Sequence, residues 1–176
     1  MNQLATLRRR SVGAALVVAA IGSVGSSLVA PASADPALPK GVRVQCSGFY
    51  GPNTVWPHYL TGCVRRNGTT GTGQTNRIAP GSERITWDKP FVKGKSMDLV
   101  GIASTIVSYS SPACPADHPV EANVSGTIGT GSKWANSPVT ATICGNATDF
   151  ALKPGSYFVI GKTPKDMNID DFNDEP

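Results

Sequence analysis

Between Val120 and Ile128, apolar and polar residues alternate without a break. Val120, Ala122, Val124, Gly126 and Ile128 share one parity; Glu121, Asn123, Ser125 and Thr127 share the other. A period of two puts each parity on its own face of an extended chain, so the segment predicts a half-buried strand, with Glu121 facing outward. Val139, Ala141 and Ile143 repeat the pattern up to Cys144. Gly41-Val42-Arg43-Val44-Gln45-Cys46 alternates, as does Glu83-Arg84-Ile85-Thr86-Trp87, with Ile85 and Trp87 on one face. Leu99 to Val107 is β-branched and apolar, and Gly101 within it argues against a helix. Phe150-Ala151-Leu152 and Tyr157-Phe158-Val159-Ile160 flank Lys153-Pro154-Gly155 and predict a closing hairpin.

Two stretches break the pattern. Phe49 to Leu60 is aromatic and turn-rich, and the Gly/Thr-rich run from Asn67 to Asn76 reads as a flexible loop or a hairpin connection. Beyond residue 34 no sustained 3.6-residue period occurs. Six to eight short strands punctuated by Gly, Pro and Asn predict an all-β fold, a small disulfide-stapled β-sandwich or barrel.

The first 34 residues follow a different logic. Arg8, Arg9 and Arg10 form a basic start, an apolar stretch runs from Val12 to Ala30, and Ala32-Ser33-Ala34 fits a small-residue cleavage site. Residues 1–34 are therefore expected to be a cleaved secretory signal peptide. The unbroken apolar run falls short of the roughly 20 residues a membrane span needs. No cysteine sits at the cleavage point to carry a lipid. Ser11-Val12-Gly13 matches a twin-arginine signal poorly, and the export route stays open between the two systems. A single β domain is expected over 35–161, followed by an acidic tail of disordered composition over 162–176.

Export changes the charge picture. The chain has 16 basic and 12 acidic residues. Three of the arginines lie in the signal, so the basic balance is partly the signal's and does not argue for nucleic-acid binding. The tail concentrates acid at Asp166, Asp170, Asp171, Asp174 and Glu175. It is read as a solubilising terminus, or more sharply as a mask folded back on Arg65, Arg66, Arg77 or Arg84. All four cysteines lie in the exported part and suit an oxidising compartment. Of three connectivities, the expected one joins neighbours, Cys46 to Cys63 and Cys114 to Cys144. The spacings are too wide for a zinc site, and His58 and His118 do not repair them. No metal and no cofactor are expected.

Catalytic motifs fail on inspection. Gly126 to Lys133 resembles a phosphate loop, but Ser132 separates the last glycine from the lysine. Gly94-Lys95-Ser96-Met97-Asp98 lacks the second glycine of a nucleophile elbow. Asp117-His118 reads as a polar turn before Pro119. Glu83, Asp88, Asp98, Asp117, Glu121 and Asp149 could supply a carboxylate pair, with nothing to select two. The candidate binding residues are Tyr50, Trp56, His58, Tyr59, Arg65 and Arg66, because aromatics beside arginines are typical of recognition sites; packing over one end of the fold is the competing reading.

The layout resembles a group of uncharacterised small secreted proteins of mycobacteria and related actinobacteria. The resemblance rests on Ala32-Ser33-Ala34, Leu60-Thr61-Gly62-Cys63 paired with Cys46, the Gly-rich run that follows, Ile85-Thr86-Trp87, Cys114-Pro115 and Val139-Thr140-Ala141-Thr142-Ile143-Cys144. It implies an envelope or culture-medium protein and brings no activity. The expected function is a secreted, non-enzymatic β module, binding or structural, with an envelope or extracellular ligand, no nucleic acid and no transmembrane segment after cleavage. The alternative is a small secreted hydrolase or inhibitor whose site assembles only in three dimensions.

Overall fold

A computed structural model describes residues 38–88, 91–92 and 96–162. It divides the chain into Met1–Ser33 and Ala34–Pro176, and all described residues belong to the second unit. The expected signal peptide, the tail beyond Lys162, and Gly94 and Lys95 of the Gly94–Asp98 motif lie outside them.

The described residues form a closed antiparallel β-barrel. The strands are β1 (Val42–Pro52), β2 (His58–Arg65), β3 (Thr70–Ala79), β4 (Ser82–Trp87), β5 (Ser96–Ser108), β6 (Val120–Ile128), β7 (Pro138–Gly145), β8 (Asp149–Leu152) and β9 (Phe158–Gly161). Each of β1 to β7 pairs with the next, and β8 and β9 both pair with β7 and β1. These last two strands fill the eighth place in the ring. Closure removes the free edges an open sheet would expose. Of the two expected architectures, the barrel is therefore the one adopted, not the sandwich. The disulfides join Cys46 to Cys63 across β1 and β2, and Cys114 to Cys144.

Three segments differ from the sequence reading. The predicted closing hairpin does not form. Phe150 and Phe158 lie on strands that are each antiparallel to β1, so β8 and β9 are one strand interrupted by a Pro154–Gly155 turn. The Gly/Thr-rich run is mostly strand β3 rather than a loop. Its inward positions are Gly71, Gly73 and Thr75, and a Cβ at Gly71 would overlap the Phe91 ring, while one at Gly73 would lie 2.7 Å from Trp87. The strand lacks a hydrophobic stripe because its neighbours' rings occupy that space. Glu121 does point out of the barrel, yet only 9% of it is exposed. Ser111 donates to it, and Lys153 pairs with it at 2.7 Å, so the outer wall is covered there.

The two ends of the barrel are built differently. The lower end gathers Gly41, the β2–β3 and β4–β5 connections and the β6–β7 turn. It is packed by Trp87, Phe91, Val92, Met97 and Ile128, each at most 3% exposed. The Trp87 and Phe91 rings sit 5.0 Å apart. The upper end gathers the β1–β2, β3–β4, β5–β6 and β7–β8 connections. Here β5 runs past its partner. β4 pairs only with Ser96–Val100, and Gly101 (φ 64°) carries a bulge that leaves Leu99 and Ile102, three apart, on the inner face. The overhang beyond Ile102 leaves Ile106, Val107 and Tyr109 exposed.

Candidate functional site

The upper half of the barrel contains a cavity of about 290 Å³. Its walls are largely apolar, with Phe49, Leu99, Val139, Ile143, Phe150 and Phe158 among them. At roughly 30 Å³ per water molecule, it has room for about ten waters or a small organic molecule. Eight-stranded barrels either fill their interior with side chains or hold one small ligand. This one does the first below and leaves space for the second above.

Two titratable side chains line that cavity, His58 from β2 and Glu83 from β4. Alternation puts Glu83 on the face of Ile85 and Trp87, and His58 on the face of Leu60, so both point inward. His58 is only 6% exposed. Its ring is held edge-on by Phe150 at 5.0 Å and Phe49 at 6.1 Å, and Trp56 lies 5.3 Å away. Nε2 lies 3.1 Å from the Pro52 carbonyl oxygen. A carbonyl only accepts, so Nε2 carries the proton and donates. Nδ1 then faces the Glu83 carboxylate at 3.7 Å, too far for a hydrogen bond.

Three buried polar atoms near Glu83 have no hydrogen-bond partner among the described residues: the acceptor His58 Nδ1 and the donors Thr75 Oγ1 and Trp56 Nε1. Burial acts to raise the Glu83 carboxyl, but the nearby His58, Thr75 and Trp56 outweigh it and hold the group below its ordinary value. The carboxylate is therefore ionised in neutral solution. Among the described residues it is the one acidic side chain lining the cavity. A buried charge within an apolar wall is costly unless something polar completes its shell.

The six residues proposed from sequence separate into three places. Trp56 and His58 meet at the upper end, where the Arg77 guanidinium lies 5.3 Å from the Trp56 ring. Tyr50 and Tyr59 are opposite each other on β1 and β2 and stack at 5.6 Å on the outer wall, where both are exposed. Arg65 and Arg66 are at the lower end. Arg65 donates to the Phe91 carbonyl at 2.9 Å and lies 5.6 Å from the Trp134 ring, so it braces the plug. With Arg43, Asn67 and Trp134 the two arginines line a surface hollow of about 160 Å³. The six expected residues therefore do not form one aromatic–arginine patch. Phe49, from the same aromatic run, is core.

The other carboxylates are committed elsewhere. Asp98 forms a two-bond pair with Arg84, 2.7 and 3.1 Å, on the outer wall. Thr72 donates to Asp88. Asp117 and Asp149 hold the two ring nitrogens of His118 at 3.2 and 3.1 Å. Asp117 raises the His118 pKa most, burial opposes it, and Asp149 adds to the rise. Loops at this end are stitched by Asn53 to Asn146 and by Asn146 to Asp117. Sequence reasoning missed Glu83 as a site residue, although its parity with Ile85 and Trp87 carried the signal.

No family model, no curated protein and no solved structure matches the chain. Among the described residues no group of metal-ligating side chains is found, and no helix is long and apolar enough to cross a membrane.

Proposed function

We propose that this is an exported, non-enzymatic binding barrel that holds a small amphiphilic molecule in its upper cavity. The observation that carries this reading is the cavity itself: apolar walls with one polar pole, His58 and Glu83, at the mouth of an otherwise packed barrel. Ligand pockets share this composition, mostly apolar lining with a few placed polar groups. Both disulfides suit an oxidising compartment. The signal-like first 34 residues and the resemblance to small secreted actinobacterial proteins support work in the envelope or the medium.

The alternative of a hydrolase built on Asp117 and His118 has less support. Both ring nitrogens of His118 already face carboxylates, leaving neither to take a proton from a nucleophile.

The test is titration of the mature protein with 1-octanol, a neutral amphiphile, followed by methyl NMR. Shifts confined to Leu99, Val124, Val139 and Ile143 are expected, and they should vanish in Ser104→Leu, which fills the cavity. Shifts that are absent, or that spread over the Tyr50–Tyr59 wall instead, would refute the proposal.

A further inference from the structure

The cavity's polar pole also bears on what it binds. We infer that it selects a small molecule with a hydrogen-bond-donating head, a primary amine above all, received between Glu83 and His58 with the apolar body against Phe49, Val139 and Phe158. This inference rests on the binding reading above and adds the chemistry of the head group.

The argument begins with the His58 ring. Its Nε2–H is spent on the Pro52 carbonyl, which fixes which face of the imidazole looks into the cavity. That face, Nδ1, and the Glu83 oxygen are 3.7 Å apart and are both acceptors when His58 is neutral. Two facing acceptors need a donor between them. An ammonium head within reach of both atoms supplies it and brings a positive charge to the Glu83 carboxylate. A hydroxyl head also donates but brings no charge. A carboxylate head brings a second anion beside Glu83 and has no proton to offer.

The surroundings reinforce the choice. His58 is 6% exposed and its Nδ1 is unpartnered, so a buried polar atom is aimed into the space. Ser104 and Ser125, also lining the cavity, are neutral, and the basic Arg77 is exposed at the mouth beside Trp56 rather than among the lining residues. Among the described residues the lining holds no lysine or arginine to compete for Glu83. Charge-assisted hydrogen bonds are roughly twice as strong as neutral ones, which ranks the amine above the alcohol of equal length.

The experiment compares n-octylamine, 1-octanol and n-octanoate by calorimetry at neutral pH, on the wild-type mature protein and on Glu83→Gln. The expected order in wild type is amine, then alcohol, then carboxylate, with the amine roughly tenfold to a hundredfold tighter than the carboxylate. Glu83→Gln should lose most of that preference while still binding octanol. The wild-type order stands without the variant, should Glu83→Gln fail to fold. Octanol binding with the amine no tighter than octanoate would overturn the head-group inference and leave the cavity reading intact. Failure of all three to bind would overturn both.

Discussion

The two ends of this barrel are made from the same strands and end in opposite conditions. At the lower end, glycines on β3 clear space that Trp87 and Phe91 fill, and Arg65 fastens the Phe91 carbonyl. At the upper end, β5 overhangs its neighbour, and a histidine and a carboxylate line a cavity instead of a plug. The tight packing and the proposed binding thus fall at different ends. A small domain can tolerate a hollow at one end when the other is packed tightly, because interiors at near-crystalline density resist any change of volume.

The largest effects should come from breaking the packed end. Phe91→Ala removes a ring with no exposed surface. It should cost about 3–5 kcal/mol in denaturant unfolding, while the octanol-induced shifts of the remaining folded protein stay in the upper half. A loss below about 1 kcal/mol would mean that the plug is not what holds the barrel shut.

Removing the Cys114–Cys144 bridge, with both cysteines changed to serine, should cost roughly 3.6 kcal/mol by the loop-entropy argument for a sequence separation of 30. Hydrogen exchange should accelerate in the upper connections and hardly at all around Trp87. Uniform acceleration would show that the two ends are not separable.

Filling the hollow end should be nearly free. Ser104→Leu places apolar volume into existing space, so its stability should change by less than about 1 kcal/mol, in contrast to the 1–3 kcal/mol typical of overfilling a packed core. A strong destabilisation would mean that the cavity is not available space.

The smallest effect concerns pH. His118 has a raised pKa in the folded protein, so its pair with Asp117 and Asp149 contributes fully below the unfolded value near 6.5 and is lost as pH rises through the folded value. Glu83 works in the opposite sense, its contribution present above the ordinary carboxylate value of 4.5 and lost as pH falls. Chemical denaturation of His118→Gln across pH 5 to 9 should show a flatter slope on the alkaline side than the wild type. Identical slopes would remove the pair from the account.

Much of the fold was legible from alternation. β4 buries the parity its sequence marks, β6 and β7 do so in part, with Glu121 and Cys144 also buried on the opposite parity, and the segment around Gly101 is strand rather than helix. The failures have one physical cause: the hydrophobic partner of a position came from elsewhere in the chain. β3 has glycines where a stripe was sought, because rings from β4 and the following turn fill its side of the barrel. The break between Leu152 and Phe158 has turn chemistry, but both flanks find β1 and β7 as partners, so they continue one strand rather than fold on each other. Among candidate residues, His58 reached the cavity and Trp56 packs beside it, whereas Tyr50 and Tyr59 fell on the outside because β1 and β2 turn adjacent residues to opposite faces. Glu83 could have been picked from six carboxylates by parity alone. Its meeting with His58 depends on how β1 to β4 pair, and no local pattern encodes that.

The contrast between the ends is open to a direct look. A crystal of the mature protein under xenon pressure should show density in the upper cavity, beside Val139 and Phe158, for the gas or for a molecule carried through purification. None should appear between Trp87, Phe91 and Met97. An upper half closed by its own side chains, or xenon distributed equally between the two ends, would contradict the account.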